Sequence, residues 1–269
     1  MVKVGKRGKN TRKGKPGAVK SKHAKYGLGK VLTFGKHYRP RSIIVMFHGT
    51  GDNAECCAKG WADVWAKGIK DSLVVVPESS DLFCFDDDKD LNVAGRDWLR
   101  QRGTQDANDE EATIKEIQRV TRRRLKLLRA WLNSLLKKHN LQAQDVVLSG
   151  FSHGCIPACL LGAKLRVKGA MLAGGVGSDW IYSAAKHDYV KGCIWPRWEE
   201  LLPKTAPGTH FFALNGTKDR GVPRKRLESL LANFDTTFRW ESGLRHHHLF
   251  QKRFRTVMLK WMQQKLVWE

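Results

Sequence analysis

Gly150-Phe151-Ser152-His153-Gly154 sets a serine between two glycines, each two residues away. A nucleophile carried on a sharp strand-to-helix turn needs such small neighbours, and the turn leaves its hydroxyl at a helix N-terminus. A serine hydroxyl is a weak nucleophile until a base takes its proton, and the base must in turn be oriented by an acid. Asp219, in Leu214-Asn215-Gly216-Thr217-Lys218-Asp219, is the candidate acid. The run His246-His247-His248 offers the base. Three adjacent histidines also raise metal binding. Consecutive side chains rarely converge on one ion, so neither a metal nor a cofactor is expected.

The elements around these residues must hold them at one edge. Ser42–Phe47, Leu73–Val76, Val146–Leu148, Gly169–Ala173 and His210–Leu214 are short continuous apolar runs. Runs apolar on both faces read as strands buried on both sides of a parallel sheet. VLTF at 31–34 reads as an edge strand, and 238–240 as a sixth strand in the series. Between them, Ile114, Ile117, Leu125, Leu128, Leu132 and Leu135 recur at helical spacing, which predicts a long amphipathic helix over 109–139. Further helices are predicted after Ser152, at about 224–233 and at about 249–265. Strands alternating with helices imply an α/β fold with a mainly parallel sheet. Ser152, Asp219 and the histidines each follow a strand. A glycine-rich turn of a nucleotide-binding fold competes for the serine motif, but the pyrophosphate pattern GxGxxG is absent.

His48-Gly49-Thr50-Gly51 ends the first buried strand. In an α/β-hydrolase fold such a loop supplies one backbone N–H to an oxyanion hole, and the residue after the nucleophile supplies the other. Thr50 and His153 are therefore assigned these roles, through their main chains.

With these residues in hand, the stretch from about 41 to 267 resembles the phospholipase/carboxylesterase group of α/β-hydrolases, which includes the acyl-protein thioesterases. IIVMFHGTGDN, VVVPESS, GRDWL at 95–99, VVLSGFSHG, LNGTKDRGVP and WESGLRH carry the likeness. The resemblance implies Ser152 as nucleophile, Asp219 as acid and His246 as base. The family spaces its histidine three residues after a glycine, here Gly243; His247 is the second choice. It implies that Trp98 helps line the acyl site and that Gly49 borders the substrate. Phe83, Phe85 and the aromatic stretch from Trp180 to Trp198 are further candidate walls. The sequence departs from the pattern where His153 replaces a glutamine, Cys155 a second glycine and Asn215 a histidine. The acidic loop at 85–90 and a basic arm are additions. The implied activity is hydrolysis of carboxylic esters or thioesters, of small-molecule or lipid substrates, through an acyl-enzyme on Ser152.

Net charge is +23, and it is unevenly spread. The first 41 residues hold 14 Lys or Arg and no acid, while the rest hold 35 bases against 26 acids. Residues 1–25 have almost no apolar residues to bury, so they are predicted to be a disordered basic arm ahead of an α/β-hydrolase domain at 26–269. Dense Lys and Arg attract polyanions, which makes nucleic acid or an anionic membrane surface a candidate partner of the arm. The competing reading of the whole chain is accordingly a polyanion-binding protein on a retired hydrolase scaffold. Six cysteines without zinc-type spacing, no secretory leader and no stretch of about 20 apolar residues predict a cytoplasmic or nuclear chain with reduced thiols.

Overall fold

The computed structural model describes residues 22–83, 95–98, 109–176, 179–183, 188–219, 221–246, 249 and 251–265. The chain enters through a helical turn at Ala24–Tyr26, which includes the last two residues of the predicted arm. Strands β1 (Leu28–Gly35), β2 (Ser42–Phe47) and β3 (Ser72–Ser79) follow, with helices α1 (Ala54–Cys57) and α2 (Asp63–Gly68) between the last two. A π-helical turn, Ala58–Ala62, joins α1 to α2. Two short strands, β4 (Asp81–Phe83) and β5 (Gly95–Asp97), pair antiparallel. Next come α3 (Glu110–His139), β6 (Val146–Phe151), α4 (Cys155–Leu165) and β7 (Gly169–Ala173). A second antiparallel pair, β8 (Asp179–Ser183) and β9 (Asp188–Ile194), precedes β10 (His210–Gly216), α5 (Arg224–Leu231), β11 (Asp235–Glu241) and α6 (Lys252–Lys265).

Seven strands form the central sheet in the order β1-β3-β2-β6-β7-β10-β11. All neighbours run parallel except the edge strand β1, which is antiparallel to β3. The inner strands are apolar along their whole length because helices cover both faces. On β2, Ile43, Val45 and Phe47 join the core beneath α3, α4 and α5. Ile44 and Met46, pointing the other way, join the core beneath α1, α2 and α6. This is the three-layer α/β-hydrolase architecture expected from the sequence.

α3 shows how local signals set an element. The Asp109 carboxylate accepts the Ala112 N–H at 2.9 Å, capping the start. Glu110 and Glu111 fill the first turn, and Lys137, Lys138 and His139 the last, as the helix dipole favours. Asn140, in the left-handed conformation that asparagine tolerates, ends it. No helix among the described residues is long and apolar enough to cross a membrane.

Candidate active site

Five loops converge at the carboxyl edge of the sheet, where ligands bind in open α/β folds. The first is the elbow. Ser152 directly follows β6 and has φ +53°, a left-handed conformation rare for a residue with a Cβ. A Cβ on Gly150 would overlap the Gly154 backbone, and one on Gly154 would lie 2.6 Å from His48 O. Both flanking glycines are thus required by contact. The Cys155 thiol, at the start of α4, points back and donates to Gly150 O and Ala173 O at 3.1 and 3.2 Å. Burial pushes that thiol well above its ordinary pKa, so it stays a neutral donor beneath the elbow.

The second loop follows β2. Gly49 lies against the elbow, since a Cβ there would sit 3.4 Å from Ser152 Cβ. His48 is buried, and its Nε2 accepts the Ser79 N–H at 3.2 Å. Its Nδ1 therefore carries the proton and donates to Gly49 O at 2.7 Å. Gly49 O also accepts from the Asp52 N–H at 3.2 Å. In a trans peptide the N–H points opposite to the C=O, so these two donors also fix the direction of the Thr50 N–H.

The third and fourth loops follow β10 and β11, and they are tied together. Lys218 N–H donates to Leu244 O at 2.9 Å, and Gly243 N–H to Thr217 Oγ1 at 2.9 Å. This brings His246 Nδ1 to 2.6 Å from Asp219 Oδ2. The other Asp219 oxygen accepts the Gly221 N–H at 3.0 Å, so the buried carboxylate is held at both ends. With Nδ1–H given to Asp219, Nε2 of His246 keeps its lone pair. The fifth loop, after β7, supplies Gly174, where a Cβ would press 2.7 Å from His246 Cε1. The His246 ring stands 5.2 Å from that of Phe151, beside the elbow serine.

The structure thus gathers Ser152, His153, Gly49, Thr50, Asp219 and His246 at one edge. His247 and His248 lie outside the described residues, as does Phe85. Trp98 lies beneath the loop after β2. It is fully buried, packed on Phe47 and His48, and its indole N–H donates to His48 O at 2.8 Å, so it buttresses the loop that carries Gly49 and Thr50. Trp198 is likewise buried in the core. Trp195 instead borders a cleft of about 490 Å³ with Glu110, Arg197, Lys225 and Arg226. None of the gathered residues lines that cleft.

Sequence reasoning missed Asp97. Its fully buried Oδ1 accepts the Trp98 N–H at 2.7 Å and the Thr50 hydroxyl at 3.3 Å, and it meets His153 Nδ1 at 3.1 Å. Arg124 of α3 holds the same segment from behind, donating to Trp98 O at 3.1 Å and pairing with Asp81. A signal was present: an acid stands beside the family's tryptophan while a histidine replaces glutamine at 153. Among the described residues, no cluster of three or more His, Cys, Asp or Glu is placed to hold a metal ion.

The sequence pattern of phospholipases/carboxylesterases matches residues 32–178, more than half of the chain, Ser152 included. The chain belongs to the phospholipase/carboxylesterase family. The family match ends before Asp219 and His246, which the loops after β10 and β11 place beside each other. Among solved structures the chain is similar to esterase PE8, at 17% identity over 88% of this chain and 99% of that one, with a TM-score of 0.61. It is similar to a carboxylesterase from Bacillus cereus, at 17% identity over 90% and 97% of the two chains and a TM-score of 0.56. A phospholipase/carboxylesterase from Dyadobacter fermentans follows at 15% identity, over 85% and 96%, with a TM-score of 0.53. At these identities the likeness is one of fold. No curated protein matches the sequence.

Proposed function

We propose that this family member is a serine hydrolase that cleaves carboxylic ester or thioester bonds through an acyl-enzyme on Ser152. The observation that carries the reading is the pairing of a left-handed Ser152 at a strand-to-helix turn with an Asp219–His246 hydrogen bond of 2.6 Å at the same sheet edge. His246 Nε2 takes the Ser152 proton as Oγ attacks the substrate carbonyl carbon. The tetrahedral oxyanion is held by the Thr50 and His153 N–H groups. The C–O or C–S bond then breaks, and the imidazolium protonates the leaving alcohol or thiol. A water gives its proton to His246, attacks the acyl carbonyl and releases the acid, returning Ser152 to its hydroxyl form. Asp219 keeps the imidazole in the required tautomer and stabilises its charged form throughout. The substrate is a small-molecule or lipid ester or thioester.

The test is labelling with a fluorescent fluorophosphonate, wild type beside Ser152→Ala, together with turnover of a chromogenic ester. Labelling and turnover present in the wild type and absent in the folded variant support the reading. Equal turnover by the variant would overturn it.

A further inference from the structure

The charge that sequence analysis assigned to the arm continues onto the folded body. From Ile117 to Gln144 the chain holds eight Lys or Arg and no acid. Helical spacing sorts them. Five of them, Arg119, Arg122, Lys126, Arg129 and Lys137, continue from Lys115 at steps of three and four, with one gap at Asn133, and all six residues are exposed. They form a single stripe along the outside of α3, spanning about 33 Å at 1.5 Å per residue. The opposite face of the helix is spent on the core through Leu125, Leu128, Leu132 and Leu136.

An ordinary solvated helix face interleaves both signs, as the first turns of α3 do with Lys115–Glu111 and Arg119–Glu116. Beyond Glu116 that pattern stops. Among the described residues, Arg122, Lys126, Arg129 and Lys137 meet no carboxylate. Lys164, exposed at the end of α4, extends the patch. Its ammonium is pulled below its usual pKa first by desolvation and then by the charges of Arg122 and Arg129. The root of the arm joins the same surface. Gly27 O accepts from Arg124 of α3 at 2.6 Å, and the Tyr26 hydroxyl bonds Ser134 on the same helix. The pKa of His23 is lowered first by desolvation and then by the charges of Lys22, Lys138 and Lys25.

We propose that the outer face of α3, with Lys164 beside it, is a binding surface for the phosphate backbone of duplex nucleic acid. A lipid surface fits less well. Membrane-bound helices sink an apolar face into the bilayer, and the apolar face of α3 is already buried. Tyr38 is the large apolar side chain that stands exposed among the described residues, and it is not on this helix. The absence of exposed aromatics on the stripe also argues against stacking on unpaired bases. What remains is a row of cations against a row of phosphates, independent of sequence and sensitive to salt.

The test is fluorescence anisotropy of the full-length protein with a labelled random-sequence duplex, titrated at salt from about 50 to about 200 mM. Arg122→Ala/Lys126→Ala/Arg129→Ala is compared with Lys252→Ala/Arg253→Ala/Lys260→Ala, which removes the same charge from exposed positions of α6 on the opposite layer. The α3 variant is expected to bind at least tenfold more weakly at about 100 mM salt, with a log–log salt slope shallower by about 2–3. The α6 variant should stay within about twofold. Failure of the wild type to bind, an α3 variant that binds like wild type, or equal losses in both variants would each overturn the proposal. So would an α3 defect confined to phosphatidylserine vesicles and absent on the duplex. None of these outcomes bears on Ser152, whose chemistry is tested separately.

Discussion

His153 Nδ1 lies 3.1 Å from Asp97 Oδ1, joining the elbow to a carboxylate with no exposure to solvent. The same oxygen accepts the Thr50 hydroxyl at 3.3 Å. The side chains of both residues assigned to the oxyanion hole are therefore anchored on one atom. Their backbone N–H groups do the proposed work, and Asp97 fixes the distance between them without touching substrate.

Asp97→Ala removes that anchor and should lower kcat by about 100-fold, the scale of losing one oxyanion donor, with KM changed by less than about threefold. Asp97→Asn keeps an acceptor oxygen in place and should recover most of the loss. Steady-state kinetics on a chromogenic ester, with circular dichroism to check folding, decides this. Wild-type kcat in a folded Asp97→Ala variant would remove Asp97 from the mechanism.

Ser152 holds a strained backbone conformation at the turn where the proposed mechanism needs it. A left-handed conformation costs a residue with a Cβ about 1–2 kcal/mol, and Ser152 adopts it at φ +53°. Ser152→Gly should therefore melt about 2–4 °C above Ser152→Ala, corresponding to about 1 kcal/mol. Both variants should be inactive. Calorimetry of the two side by side is the check, and an alanine variant equal to or above the glycine variant would refute the strain argument.

Much of this was legible before folding. The strands at 42–47, 73–76, 146–148, 169–173 and 210–214 announced themselves because both of their faces are covered. α3 was readable end to end from its periodicity and its charged ends. The helical stretch 54–68 was not read. Trp61 and Trp65 sit four apart and pack edge to face at 5.4 Å, but Gly60 and Gly68 and a π-turn interrupt the period. β4, β5, β8 and β9 are short pairs whose partners are set by the rest of the fold. Within the site, Ser152 and the glycines around it follow from local sterics. Asp97 does not, because its contacts with Thr50 and His153 join segments far apart in sequence that only the fold brings together.

Asp52 makes stability depend on pH. Burial raises the pKa of its carboxyl, so the folded state holds this proton more tightly than the unfolded chain. The resulting penalty is absent below the ordinary carboxylate range, grows as pH rises towards the raised pKa, and is complete above it. Asp52→Asn removes the charge, so the variant should gain stability over wild type at pH 7 and match it near pH 3. Urea melts across that range test the sign. A gain that grew as pH fell would contradict it.

The thiols report on whether the elbow opens. Cys56 is exposed, whereas Cys57, Cys155 and Cys159 are buried. Burial raises the thiol pKa of all three, that of Cys159 to about 12. Reaction needs both access and the thiolate. Iodoacetamide at pH 8 should therefore modify Cys56 at least about tenfold faster than Cys155 or Cys159 in the native protein, as read by peptide mass spectrometry. Cys155 is the informative site, because its hydrogen bonds to Gly150 O and Ala173 O must break before it reacts. Those bonds lie directly beneath Ser152, so in rising urea Cys155 modification and loss of ester turnover should share one midpoint. Full modification of Cys155 in protein that still turns over ester at the wild-type rate would separate the thiol from the elbow.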